Sequence, residues 1–416
     1  MVENVASQLE KTTSFSHSKF QDWINQRCRQ IIFKIFNQLP DSQLVIIEGD
    51  QQFQFGELSE HSPLSATIEV KDPSTYSALV KNGSIGAAEA YIAGHWDTTN
   101  LTDLIRVFAR AQHVTDRFEK YVSWLTKLKN QWFHFNNRNS HSGSKKNILA
   151  HYDLGNELYT RFLDKEMMYS SAIYPSGESS LEQAQLNKLK LICERLELTA
   201  DDHLLEIGTG WGGLAIYAAT HYGCKVTTTT ISDAQFEYAK NRVDSLGLGE
   251  QITLLKKDYR LLTGEFDKLV SIEMIEAVGY RYMDSFFEQI NQRLKPGGKM
   301  LIQAITIADQ RFDHYLNNVD FIQRYIFPGG FLPSIELMAS KIRSQTSLVI
   351  DGLHDIGIDY AKTLADWRER FLASWPELQT FGYDEKFKRL WLFYLGYCEG
   401  AFLERSTSTV HLIARK

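Results

Sequence analysis

The sequence predicts an α/β protein: a Rossmann-like, mostly parallel sheet, preceded by a smaller N-terminal α+β domain. Three observations point there. The run HLLEIGTGWGG, His203 to Gly213, puts an apolar strand directly into a glycine turn, and LAIYAATHYG then reads as a helix closed by Gly223. From about residue 148 onward strands alternate with helices, the pattern of a parallel sheet with crossover helices. The first third instead carries short alternating runs between helices.

Taken in order, residues 1 to about 18 are polar, and Phe20, Trp23, Ile24, Cys28, Ile31, Ile32, Ile35, Phe36 and Leu39 then recur at helical spacing. Burial of that stripe in the protein's own core is favoured over a membrane-surface helix, although Arg27, Arg29 and Lys34 on the other face suit an anionic surface. LVIIEG, QFQFGEL and ATIEVKD read as a small antiparallel sheet with a turn at Gly49-Asp50. SIGAAEAYIAGHWDTTNLTDLIRVFAR supplies two helices, the second capped by Thr99 or Asn100. This places an N-terminal domain at 1–135, a Ser/Asn-rich linker at 136–147 and a second domain at 148–416.

In the second domain a helix from Ser180 to Leu198 leads into the HLLEIG strand. CKVTTTTI, QITLLKKD, FDKLVSIEM and KPGGKMLIQAITI are the next four strands, with a helix from Met283 to Leu294 before the last. SLVIDGLHDI and STSTVHLIARK supply the remaining strands, separated by two helices around Trp367 and Leu390.

At 416 residues, 43% hydrophobic and 23% charged, the chain is long enough for two or three domains with a sizeable core. A net charge of -6 gives no reason to expect a nucleic-acid partner. The four cysteines form no C-x-x-C pair, which argues against a zinc site and fits a reducing compartment. No export signal opens the sequence, and LWLFYLGY is too short to span a bilayer, so a cytoplasmic protein is expected.

In an open α/β sheet ligands bind beyond the carboxyl ends of the strands. The residues there are the glycines, then Thr230, Ser232 and Gln235, then Asp258 and Tyr259, then Glu276, then Gln303 and Ile305. Gly208, Gly210 and Gly213 also spell G-x-G-x-x-G, but a dinucleotide site wants an acid at the tip of the second strand, about 20 residues on. That strand ends in threonines. Ser232 and Gln235 alternatively form a capping box, and Tyr259 a half-buried aromatic. Glu276, in EMIEAVG, places a carboxylate at an apolar strand end, where an unpaired charge is costly unless it serves a function.

HYDLGNELY, MMYSSAIYPSG, LLEIGTGWGG, TISDAQ, EMIEAVG, LKPGGKMLIQAITI, DFIQRYIFPGGFLPS and GIDYAKTL together resemble the cyclopropane-fatty-acyl-phospholipid synthase family, whose sheet is that of class I methyltransferases. The resemblance implies S-adenosylmethionine as cofactor, contacted by Tyr152, Ser170, Gly208, Gly210, Thr230, Gln235 and Tyr259. It implies methyl transfer to the cis double bond of a phospholipid acyl chain, closing a cyclopropane; a methyl or methylene branch, or a silent lipid-binding homologue, are the alternatives. A bicarbonate ion would act as base, held by Ser171, Glu276, Gln303, the backbone of Ile305, and Tyr360. Ser171 and Gln303 depart from the family's usual Cys and His, and Cys398 matches a cysteine of its active site. Tyr169, Tyr174, Phe321, Tyr325, Phe327 and Tyr360 could face a carbocation. The expected setting is peripheral contact with the cytoplasmic face of a membrane, the N-terminal domain binding lipid or a second subunit.

Overall fold

The computed structural model describes residues 19–112, 155–175 and 179–416. They fall into two compact units. The first takes the described residues of Met1–Asn136 with Asn317–Ile326 and Trp375–Ser406; the second takes those of Asn137–Leu316 with Phe327–Ser374 and Thr407–Lys416.

In the first unit, β1 (Gln43–Glu48), β2 (Gln51–Phe55), β3 (Ser65–Val70) and β4 (Trp96–Asp97) form a sheet in the order β2-β1-β3-β4. The expected turn at Gly49-Asp50 joins β1 to β2 as an antiparallel pair, but β3 runs parallel to β1, so the sheet is mixed. On the helix Lys19–Phe36, Cys28, Ile32 and Phe36 are buried, whereas Phe20 and Trp23 are 68% and 54% exposed. The stripe expected to pack as core is thus divided, and its N-terminal end is left in solvent.

Helix Glu385–Leu403, which the sequence reading assigned to the second domain, belongs to the first unit. Gly396 and Gly400 sit one turn apart against helix Leu101–Arg110, and a Cβ at Gly400 would lie 2.8 Å from Ile105 Cγ2. The close approach lets the Thr102 hydroxyl donate to buried Glu399 (2.9 Å), while Arg106 and Arg110 both pair with Glu404 (2.8 and 3.0 Å). Pairings across nearly 300 residues of chain leave no local mark, which is why the division could not be drawn at a linker.

The second unit holds seven strands: β5 (His203–Ile207), β6 (Lys225–Thr230), β7 (Ile252–Lys256), β8 (Phe266–Ile272), β9 (Leu294–Ile307), β10 (Val349–Asp355) and β11 (Thr407–Arg415). Their order is β10-β11-β9-β8-β5-β6-β7. β5 through β9 pair in parallel, and β11 lies antiparallel between β9 and β10. The apolar strands bury both faces: Leu205 and Leu269 join one core cluster, Leu204 and Val270 the other. Helix Leu181–Arg195 begins at a capping box between Ser180 and Gln183, and helix Gly213–Tyr222 ends on Gly223 in the left-handed region. Strand order reverses between β5 and β8, so the chain ends leaving these two strands frame the crevice where such sheets bind ligands.

Candidate active site

The glycine bend leaves β5 with positive φ at Gly208, Gly210 and Gly212 (104°, 53° and 89°), a path closed to most side chains. The N–H groups of Gly208 and Thr209 both donate to Thr229 O on β6 at 3.1 Å, tying the bend to the sheet. At Gly213 a Cβ would sit 2.7 Å from both Glu166 O and Met168 Sδ, so this glycine serves packing. At Gly210 nothing lies within 4 Å, so the backbone there is open to a ligand. Behind the bend Glu206 is buried; desolvation pushes its pKa up to about 8, opposed by a 2.6 Å bond from the Thr228 hydroxyl.

A Cβ on Gly208 would lie 3.3 Å from the Met274 side chain. Met274 sits between Glu273 and Glu276, so the glycine bend adjoins the carboxylates.

Of the residues expected to hold the cofactor, Thr230 and Gln235 are brought together: the Thr230 hydroxyl donates to Gln235 Oε1 at 3.0 Å. Ser232 caps the helix through Gln235 N (3.3 Å), but the Gln235 side chain turns to Thr230 instead of completing the capping box. Tyr259 packs edge-on against Phe286 at 5.5 Å, and burial raises its pKa. Asp258 is engaged by Arg260 (2.6 Å). Ser170 is buried, and its hydroxyl accepts a 2.8 Å bond from Lys188. Tyr152 and the linker 136–147 lie outside the described residues.

Lys188 had no signal in the sequence, where it reads as the polar face of a helix. Its side chain is buried; desolvation lowers its pKa to about 8, opposed by the charges of Glu273 and Asp164.

Of the five residues expected to surround a bicarbonate, Ser171, Gln303 and Tyr360 contact Glu273. Glu273 Oε1 accepts from the backbone N–H of Ser171 (2.9 Å) and from Gln303 Nε2 (2.7 Å), and Glu273 Oε2 accepts from the Tyr360 hydroxyl (2.9 Å). The Ser171 hydroxyl instead donates to Ala172 O at 2.9 Å. Ser171 therefore contributes through its backbone, and its departure from cysteine leaves these contacts untouched. Burial raises the Glu273 pKa, while the Ser171 N–H, Gln303, Lys188 and Tyr360 favour its anion.

Glu276 Oε1 accepts from Ile305 N at 2.5 Å, so the backbone group expected to hold a bicarbonate is engaged by Glu276. Its Oε2 is buried, with no hydrogen-bond partner among the described residues. Burial first, then the charge of Glu273, pushes the Glu276 pKa up to about 8.

Read as one strand, FDKLVSIEM hides Glu273. β8 ends at Ile272, two residues earlier, so Glu273 is the first residue beyond it. It holds φ 46°, a value rare for a long side chain.

An aromatic wall links the bend to Glu273. Trp211 packs on Tyr159 (5.1 Å), Tyr159 on Tyr169 (5.3 Å), Tyr169 on Trp367 (5.2 Å) and Trp367 on Tyr360 (6.0 Å), whose hydroxyl reaches Glu273. Phe327 lies 6.4 Å from Tyr169, and Trp367, which the sequence did not single out, stands between Tyr169 and Tyr360. Tyr174 donates to Asp366 at 2.6 Å. Phe321 and Tyr325 lie in the first unit, Phe321 packing on Phe393 at 4.7 Å. Cys398 is also in the first unit, its thiol pKa raised by desolvation.

The family model of Mycolic acid cyclopropane synthetase matches residues 139–412. The cyclopropane-fatty-acyl-phospholipid synthase of Escherichia coli (strain K12) is 38% identical over 342 residues, covering 82% of this chain and 85% of that protein. The tuberculostearic acid methyltransferase UfaA1 of Mycobacterium tuberculosis is 36% identical over 348 residues, covering 82% and 81%. Among solved structures, the mycolic acid cyclopropane synthase CmaA1 complexed with SAH and CTAB superimposes with a TM-score of 0.61 at 26% identity, covering 65% of this chain and 98% of that one. The cyclopropane synthase MmaA2 from Mycobacterium tuberculosis gives the same values.

Proposed function

This chain belongs to the mycolic acid cyclopropane synthetase family of S-adenosylmethionine-dependent methyltransferases, and from that premise we propose that it methylates the cis double bond of an unsaturated phospholipid acyl chain and closes a cyclopropane. The observation that carries the reading is the continuous wall from Trp211 in the glycine bend to Tyr360 and Glu273.

S-adenosylmethionine, the methyl donor, fits the residues present. The open backbone at Gly210 admits a ligand, and Thr230 with Gln235 supplies paired polar groups at the end of β6 where an acid would otherwise hold a ribose. Ser170, held by Lys188, and Tyr259 would be further contacts of the cofactor.

An alkene is a weak nucleophile, so the chain's task is to hold the carbon pair in line with the sulfonium methyl and to stabilise the cation that follows. Ring faces of Tyr169, Trp367 and Tyr360 suit both the acyl chain and the cation. The partner would be met at a membrane surface. No described helix is long and apolar enough to cross a membrane, whereas Phe20 and Trp23 stack at 6.2 Å with Arg27 over the Trp23 ring, an arrangement suited to an anionic interface.

Incubation of the purified chain with S-adenosylmethionine and vesicles of unsaturated phospholipid tests this by mass spectrometry. A product that has gained one carbon and survives alkene hydrogenation unchanged is expected. A product that takes up hydrogen has kept a double bond and would point to a methylene branch, and no mass gain would defeat the reading.

A further inference from the structure

We infer that the Glu273 carboxylate is itself the base of the reaction and stands where a free bicarbonate would otherwise be held. The inference rests on the methyl-transfer reading above and names the group that completes it.

The fit to bicarbonate fails on the hydrogen bonds. Of the five residues expected to hold that ion, Ser171 N, Gln303 Nε2 and the Tyr360 hydroxyl donate to Glu273, and Ile305 N donates to Glu276. A bicarbonate entering this cradle would have to take these donors from a buried carboxylate and then lie against it. Two anions in contact inside a low-dielectric site repel strongly. Glu273 supplies the same chemistry, an oxyanion carried on three donors, already attached to the backbone.

Its geometry leaves room to act. A carboxylate offers about four lone-pair sites. Oε1 uses two, on Ser171 N and Gln303 Nε2, and Oε2 uses one, on Tyr360, so one site on Oε2 stays available beside the tyrosine at the end of the aromatic wall. The residue is also held at φ 46° immediately past β8, where glycine would be unstrained. A strained long side chain at the crevice of the sheet is retained where its carboxylate is needed.

The step balances as follows. The alkene pair forms a bond to the methyl carbon as the carbon–sulfur bond breaks, its electrons staying on sulfur, and the other alkene carbon becomes cationic. A C–H bond of the added methyl then breaks. Its proton forms an O–H bond on Glu273, and its electron pair closes the ring onto the cationic carbon. Glu273 ends as a neutral acid and returns its proton to solvent before the next turnover.

The test assays the full chain on unsaturated phospholipid vesicles in buffer freed of carbon dioxide, with and without added bicarbonate. Binding of S-adenosylhomocysteine by calorimetry is the control for folding. Wild-type turnover should be the same in both buffers, and Glu273→Gln should lose turnover by about 100-fold or more while still binding. Glu273→Gly, which relieves the backbone strain, guards against misfolding and should be equally impaired without bicarbonate. Loss of wild-type turnover on bicarbonate removal, or wild-type turnover in either variant without it, overturns the inference. A wild-type chain that adds no carbon to any lipid overturns the methyl-transfer reading instead.

Discussion

Gln303 and His411 share a buried 2.9 Å hydrogen bond whose direction is set by Glu273. The Gln303 amide nitrogen is committed to Glu273, so its oxygen faces His411 and must accept from Nε2–H. Nδ1 of His411 then accepts from Arg195 at 2.5 Å. Burial, with the Arg195 charge next, holds this imidazole neutral, its pKa well below 6.5. An arginine, a neutral histidine and a glutamine thus end on the carboxylate, each donor oriented by the one behind it.

Gln303→Leu should disturb both ends of this relay. Glu273 loses a donor that favours its anion, so its pKa rises and the acid limb of the pH–rate profile moves to higher pH. The His411 N–H is left without an acceptor, at a cost of about 1–3 kcal/mol in stability. A pH profile of kcat and a denaturant melt measure the two effects; an acid limb that stays in place would break the link between Gln303 and the base.

Glu276 should make the protein less stable as pH rises. Its folded pKa of about 8 lies above the ordinary glutamate value of 4.5, so the native state holds a proton that the unfolded chain has released. Stability therefore falls with pH between those two values and levels off above them. Glu206, with a folded pKa also of about 8, adds to the same slope. Melting temperature against pH should slope less in Glu276→Gln than in the wild type over that window, and an identical slope would count against a buried, protonated Glu276.

Two glycines of one bend should fail differently. Gly213→Ala drives a Cβ to 2.7 Å from Glu166 O and should destabilise the fold by about 1–3 kcal/mol. Gly210→Ala meets no atom within 4 Å and costs only its left-handed backbone, about 1–2 kcal/mol, but it puts a methyl group where we propose that the cofactor approaches. Calorimetry with S-adenosylhomocysteine should show binding lost at Gly210→Ala in protein that still melts cooperatively; binding unchanged there would remove that backbone from the cofactor site.

Replacing Phe20 and Trp23 with serine should weaken binding to anionic vesicles by about 10-fold or more, on the free energy of burying two aromatic rings. Neither side chain is buried in the protein, so thermal stability should hardly change. Vesicle sedimentation reads the loss, and equal sedimentation of variant and wild type would assign membrane contact elsewhere.

Several positions of the proposed site were legible in the sequence. Gly208 and Gly210 follow β5, Thr230 ends β6 with Gln235 in the helix after it, and Gln303 and Ile305 lie within β9 short of its end, because a parallel sheet collects its carboxyl ends along one edge. Glu273 was hidden by a strand end misplaced by two residues, an ordinary uncertainty where apolar character runs on past the last ladder bond. Lys188 and Trp367 were hidden for a different reason: helical spacing tells which residues share a face, not what that face meets.

The order of residues along the chain was enough to specify the parallel sheet and the glycine bend. Each depends on a few neighbouring side chains and on rules of backbone geometry that hold within a short segment. Folding in three dimensions settled which carboxylate the donors of Ser171, Gln303 and Tyr360 would surround, and that Gly396 and Gly400 would carry their helix into the first unit. Those outcomes come from contacts between residues far apart in the chain, where packing and the cost of burying an unpaired charge choose among partners that look equivalent in one dimension.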